Sequence, residues 1–458
     1  LGHPFRSLAP VVLAFATLAA AAEDPRLEGA SRSERNGWIL VRLQGAPADV
    51  GYQHGRLLAK EVEDAVAVAR LGLIQDGKRD WAFYRRAAEV VFWPGVDAEY
   101  RQEMRGIAQG AAAGGAKVDL WDVVALNASI EFGYYTASLD RDGRSGAPDK
   151  CSAFVATGSF TRDGRPVIAH NNWSGYLEGS RWNVIFDIRP AAGHRILMDG
   201  MPGLIHSGDD FGVSSAGLAI TETTITGFRG FDPKGIPEFV RARRAMQHAS
   251  SIDDFDRIMR EGNNGGYANA WLVADVRTGE IARLELGLRN VTLERTKDGY
   301  FAGTNFPVSP KLAAEETTFR LDDPSLSANA RRVRADELIR EAKGTIDLAF
   351  AKRYLSDHHD AYERRNDAPS ERTLCGHVDL SPRGMGDWFS AFGPAGTVQS
   401  KAADAPMIVR MALEAAMGHP CGATWKAAPH LAKHPGYAWT KPLMRDLVAG
   451  PWTLFAAP

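Results

Sequence analysis

The chain has 458 residues, 45% of them hydrophobic and 24% charged, with a formal net charge of −2. That is an ordinary globular composition, long enough for one large domain or two smaller ones. The near-neutral balance, without a run of like charge or a low-complexity tract, gives no reason to expect nucleic acid or an acidic membrane as partner.

Residues 1–22 have the order of a secretory signal. Arg6 supplies the positive charge, residues 8–18 are almost all apolar, and Ala19 to Ala22 are small. Removal is expected after Ala22, with the mature protein exported to a periplasmic or extracellular space and at most in transient contact with membrane. No other stretch is long and apolar enough to cross a bilayer.

Residues 23–150 read as a mostly helical fragment. Helical spacing runs from Asp49-Val50-Gly51-Tyr52-Gln53-His54-Gly55-Arg56 to about residue 73, and again over 81–91, 99–113 and 120–132. Residues 137–150 are polar and rich in Gly and Asp, which predicts an exposed loop where backbone cleavage is tolerated.

At Cys151 the pattern turns strand-like. Residues 152–160 and 166–170 flank Arg162-Asp163-Gly164-Arg165, a hairpin signal. Further strands are expected at 183–188, 217–225, 268–275 and 280–286, with helices at 237–249 and 252–260. Strand runs followed by helix runs predict an α+β fold with helices covering mainly antiparallel sheets. No internal repeat or domain boundary is visible, so 23–150 and 151–458 are expected to form one composite domain.

The three cysteines are Cys151, Cys375 and Cys421. An odd count in an exported protein leaves at least one without an intramolecular partner. If Cys375 and Cys421 pair, Cys151 is the free thiol. A lone cysteine is more often a small buried hydrophobe than a nucleophile, but this one follows a polar loop and opens a strand. Cleavage of the Lys150–Cys151 bond would give it an α-amine with a pKa of about 7.7–8, partly neutral at physiological pH. Nucleophile and base would then sit on one residue. The same thiol can make the cut, attacking the preceding carbonyl in an N-to-S acyl shift before water hydrolyses the ester.

Cys151-Ser152-Ala153-Phe154 followed by Ala169-His170-Asn171-Asn172-Trp173-Ser174-Gly175-Tyr176 resembles the phospholipase B-like (lamina-ancestor) family, related to the penicillin acyltransferase and bile-salt hydrolase families. Residues 203–211 and 215–218 resemble that family's next strands, residues 263–271 its Asn-rich strand, and Gly422-Ala423-Thr424-Trp425 its C-terminal motif. Gly51-Tyr52-Gln53-His54-Gly55 and Leu374-Cys375-Gly376-His377 look more like the acyltransferase relatives. The resemblance implies the N-terminal-nucleophile (Ntn) hydrolase fold, an αββα sandwich of two antiparallel sheets between helical layers. It also implies roles: Cys151 as nucleophile with its own amine as base, His170 and Trp173 orienting it, Asn269 as oxyanion donor, Thr224 assisting, and Arg331 in the active site. His170 stands where the bile-salt hydrolases have arginine.

The expected activity is hydrolysis of an acyl amide or ester, in a phospholipid (lipid degradation) or an N-acylated small molecule, by an autocatalytically cleaved chain whose two fragments stay together. Fold and family do not fix the substrate. Three alternatives stay open: an acyltransferase of the penicillin type, an uncleaved Cys–His thiol enzyme, and a non-catalytic binding protein on the same scaffold. No cofactor or metal is expected. Asp357-His358-His359-Asp360 lacks a further spaced His/Cys set, and no P-loop, His-Glu-x-x-His motif or Gly-x-Ser-x-Gly elbow is present.

Overall fold

The computed structural model describes residues 24–140, 151–208, 211–386 and 388–457. The expected signal segment, most of the 137–150 loop and Lys150 lie outside them. In chain order the strands are β1 (Ser31–Arg35), β2 (Trp38–Gly45), β3 (Cys151–Thr157), β4 (Val167–Gly175), β5 (Val184–Pro190), β6 (Ile196–Gly200), β7 (Gly212–Ser214), β8 (Leu218–Thr224), β9 (Asn269–Asp275), β10 (Glu280–Leu286), β11 (Val291–Thr296), β12 (Gly299–Gly303), β13 (Ala395–Asp404), β14 (Ala412–Met417) and β15 (Thr453–Ala456).

Among the described residues they form two sheets. The larger has the order β1-β2-β5-β6-β7-β8-β9-β10-β11, the smaller β12-β3-β4-β13-β14-β15. Pairing is antiparallel except between β2 and β5, which run parallel. Period-2 alternation sends one set of side chains from each sheet to a shared interior. Ala153, Val155 and Ile168 of the smaller sheet meet Ile185, Leu197, Ala219, Leu272 and Ala274 of the larger one there. The opposite face of the large sheet packs under the N-terminal helices and the helices Glu238–His248 and Ile252–Arg260. Phe154, Ala156, Val167 and Ala169, on the opposite face of the small sheet, pack against Ser327–Glu341 and Leu348–Leu355. This is the expected αββα sandwich.

The N-terminal fragment is less purely helical than its periodicity suggests. Before its helices it contributes the hairpin β1–β2, which closes on Asn36-Gly37, both at positive φ (52° and 86°). Asn-Gly is the dipeptide that such a two-residue turn requires. Residues 23–150 therefore complete the edge of the large sheet. The helix expected over 49–73 is two helices, Pro47–Leu57 and Ala59–Gly77, interrupted at Leu58 (ψ 26°). Residues 203–208, expected among strands, are turns.

Gly51 and Gly55 have a packing reason. A Cβ on Gly55 would lie 2.0 Å from the Ile107 carbonyl oxygen, and one on Gly110 would lie 2.1 Å from that of Tyr52. Glycines on both helices thus let Pro47–Leu57 and Ala98–Ala113 touch backbone to backbone. That contact presents His54 to the loop after β6, where its Nε2 accepts from Gly203 N at 2.8 Å. No disulfide joins Cys375 to Cys421 in the structure.

Burial pushes His54 down to about 3, with the Arg243 charge adding to the effect. The unfolded chain, with an ordinary histidine, binds a proton near pH 6.5 that the folded chain refuses. Stability from this group is therefore complete above about pH 6.5 and is lost as pH falls toward 3, with a slope of up to about 1.4 kcal/mol per pH unit. His54→Gln keeps an acceptor for Gly203 N and should flatten the acid limb of the unfolding free energy measured by denaturant titration between pH 7 and 4.

Candidate active site

Cys151 is the first residue of β3 and is 1% exposed. It stands opposite Asn172 of β4, and His170 opposite Ala153, so thiol and imidazole sit diagonally on one face of the hairpin. The main chain of Cys151 is gripped from both sides. Its N–H donates to Asn305 Oδ1 at 3.0 Å, and its carbonyl accepts from Arg331 Nη1.

Arg331 organises this grip. It projects from the helix Ser327–Glu341, fully buried. Beyond the Cys151 carbonyl, its guanidinium donates to Asn305 Oδ1 at 3.0 Å, Ser152 Oγ at 3.3 Å and Ser327 Oγ at 3.0 Å. Its flat face lies 4.5 Å from the Trp173 ring centroid. A planar fork with several fixed donors suits this multiple engagement, where a lysine ammonium does not. Asn305 closes the arrangement by donating from Nδ2 to the Thr224 carbonyl at 2.9 Å. Its φ of 67° is a left-handed conformation that asparagine tolerates better than most residues.

Two further groups surround the sulfur. Cys151 Sγ donates to Glu222 Oε1 at 3.8 Å, and the same oxygen accepts from Tyr267 Oη at 2.8 Å. One atom each from Cys151, His170 and Glu222 lies within 4.8 Å of the others, with all three residues buried. Such a trio could hold a metal ion or pass a proton. His170 also stacks near Phe211, with centroids 6.5 Å apart.

Arg331 thus touches both the Cys151 main chain and the Trp173 ring, whereas His170 lies on the sulfur's side of the hairpin and Trp173 on the other. Thr224 is tied in by its carbonyl. Asn269 follows by register, since it stands opposite Thr224 where β8 and β9 pair. Thr224 Oγ1 and both side-chain polar atoms of Asn269 are buried without a hydrogen-bond partner among the described residues. Buried polar groups are seldom left so, and donors of this kind suit a charge that appears only during reaction. Lys150 lies outside the described residues.

Sequence reasoning missed Asn305, Glu222 and Tyr267. Glu222 had a legible signal, a carboxylate inside the buried strand Thr221-Glu222-Thr223-Thr224. Asn305 had none, being 154 residues from the cysteine it holds.

The family model of phospholipase B matches residues 84–449. The chain belongs to the phospholipase B family. Among relatives, a putative phospholipase B-like 1 of Caenorhabditis elegans is 24% identical over 329 residues, 63% of this chain and 57% of that protein. The acyl-coenzyme A:6-aminopenicillanic-acid-acyltransferase 40 kDa form of Emericella nidulans is 26% identical over 243 residues, covering 51% and 60%. An uncharacterized protein of Archaeoglobus fulgidus is 28% identical over 277 residues, covering 55% and 43%. The matches span less than two thirds of each of these relatives. The likeness to both a phospholipase B-like protein and an acyltransferase agrees with the mixed motifs of the sequence. Among the described residues, no helix is long and apolar enough to cross a membrane.

Within this family fold, Arg331→Leu strips a buried carbonyl and the Asn305 amide of a charged donor. Hydrogen bonds to charged groups contribute about 1.5–3 kcal/mol, so a loss of at least that size is expected in chemical unfolding. Arg331→Lys, without the planar fork, should recover only part of it.

Proposed function

We propose that this chain is an exported N-terminal-nucleophile acyl hydrolase that matures by cutting its own Lys150–Cys151 bond. The observation that carries this reading is the grip on Cys151. Asn305 and Arg331 hold the main chain on both sides of the cysteine α-carbon, at the atoms that such an enzyme must position. A side-chain nucleophile needs no such hold on its own backbone nitrogen.

In maturation, the thiol attacks the Lys150 carbonyl. The peptide nitrogen leaves as an amine, and water then hydrolyses the thioester to leave a Lys150 carboxylate and a free Cys151 α-amine. Asn305 Oδ1 is positioned to accept from that amine. Arg331, bonded to the same Oδ1, disfavours a second positive charge there and so favours the neutral, basic amine. In turnover the amine takes the thiol proton and the thiolate attacks an acyl carbonyl. Asn269 and backbone amides stabilise the oxyanion, with Thr224 assisting. The proton passes to the leaving group, and water releases the acid. The substrate is an acyl amide or ester, in a phospholipid or an N-acylated small molecule. Transfer to an amine instead of water would make the same site an acyltransferase.

A second reading is a thiol hydrolase that stays uncut, with His170 or Glu222 as base. The approach of both groups to the sulfur favours it. The two readings separate chemically. Under the first, Cys151→Ala lowers hydrolysis of N-acyl amide and lysophospholipid substrates by about 10³-fold or more, and acetylation of the mature α-amine abolishes turnover. An acyl adduct should appear on a fragment beginning at Cys151. Full activity in Cys151→Ala overturns both readings; activity untouched by amine acetylation overturns the first.

A further inference from the structure

Away from Cys151, the structure gathers four side chains from distant parts of the sequence. His358, Cys375, His377 and Cys421 each offer one ligand atom, and the four atoms lie within 4.8 Å of one another. His377 Nε2 stands 3.3 Å from Cys375 Sγ and 3.6 Å from Cys421 Sγ. A tetrahedral zinc ion, with Zn–S of ~2.3 Å and Zn–N of ~2.05 Å, sets its sulfur–nitrogen edges at ~3.6 Å. The two His377 edges thus already have nearly the length of a coordination shell's, and the remaining edges are no longer than 4.8 Å.

The reverse sides of both imidazoles match this orientation. His377 Nδ1 faces Asp379 Oδ1 at 4.0 Å, and His358 Nδ1 faces Asp367 Oδ1 at 3.6 Å. Asp379 in turn accepts from Tyr176 Oη at 2.7 Å, and the His377 ring stacks on His419 with centroids 4.0 Å apart. At these lengths neither contact is a hydrogen bond, but each carboxylate stands behind its ring, on the side where carboxylates that orient ligating histidines are found. His358 Nε2 is left buried with no hydrogen-bond partner among the described residues. Cys421 is exposed, which gives an ion a way in.

We propose that His358, Cys375, His377 and Cys421 form a structural zinc site. Two thiolates and two imidazoles with no open position suit a tetrahedral, redox-inert ion. A disulfide is the competing fate of two neighbouring thiols in an oxidising compartment, but it gives neither histidine a role. The site's position suggests what it steadies. A Cβ on Gly376, between two of the ligands, would come within 2.2 Å of the Trp173 ring. Metal binding thus fixes the loop pressed behind the ring on which Arg331 stacks.

The test uses the full exported chain, purified without chelator or added metal. Elemental analysis is expected to find about one zinc per chain, with Cys375 and Cys421 protected from alkylation until the metal is stripped. Cobalt added to the stripped protein should give the visible bands of a tetrahedral site with thiolate charge transfer. Cys421→Ser, at an exposed position, should lose both the zinc and the charge transfer. Asp379→Asn should keep the site but bind zinc about 10–100-fold more weakly. A Cys375–Cys421 disulfide in peptide maps, or stripped protein that takes up neither zinc nor cobalt with both thiols reactive, overturns the proposal. So does zinc content unchanged in Cys421→Ser.

Discussion

The buried guanidinium of Arg331 is the constraint on which the rest of the site depends. A full charge in a protein interior is costly unless its donors are matched. Here they are matched by the Cys151 carbonyl, Ser152, Asn305 and Ser327, and its face is covered by Trp173. These partners come from β3, β4, a helix and the loop after β12. Placing the arginine therefore fixes where the hairpin carrying the cysteine meets the helical layer.

The sandwich supplies what such a site needs. Its interior is apolar along most of both sheets, so polar groups are held by specific partners there. The Lys401–Asp199 ion pair, with both side chains at 0% exposure, bridges the two sheets. Toward the sheet ends the polar set Cys151, His170 and Glu222 gathers, and Asn269 begins β9 beside Thr224. The chemistry we propose is thereby placed at a sheet end rather than on a loop, which favours orientation of the reacting groups.

Much of this was legible in the sequence because it is local. The Asp163-Gly164 turn, the change of periodicity at Cys151, and the helix 252–260 follow from short-range rules, and the structure has them. The Asn36-Gly37 hairpin is equally local, but its short strands are outweighed by the helical periodicity that follows them. What the sequence did not reveal depends on long-range contact. Asn305 is far from Cys151 in the chain, and β13 and β14 give weak signals because they are buried on both faces and so show no clear alternation. In the sequence His358 stands beside His359, and adjacent residues on a regular element rarely point to one centre. Its partners Cys375, His377 and Cys421 lie 17 to 63 residues later and meet only once the chain folds. The family resemblance carried His170, Trp173, Asn269 and Arg331; residue type alone would not have selected them from the other histidines, tryptophans, asparagines and arginines.

The measurement that bears most directly on the account is intact-mass spectrometry of the purified protein, with N-terminal sequencing of each species. The account requires two co-purifying fragments, the larger beginning at Cys151, and a single uncut chain in Cys151→Ala. A wild-type protein that remains one chain through Lys150–Cys151 while still hydrolysing acyl substrates would contradict it.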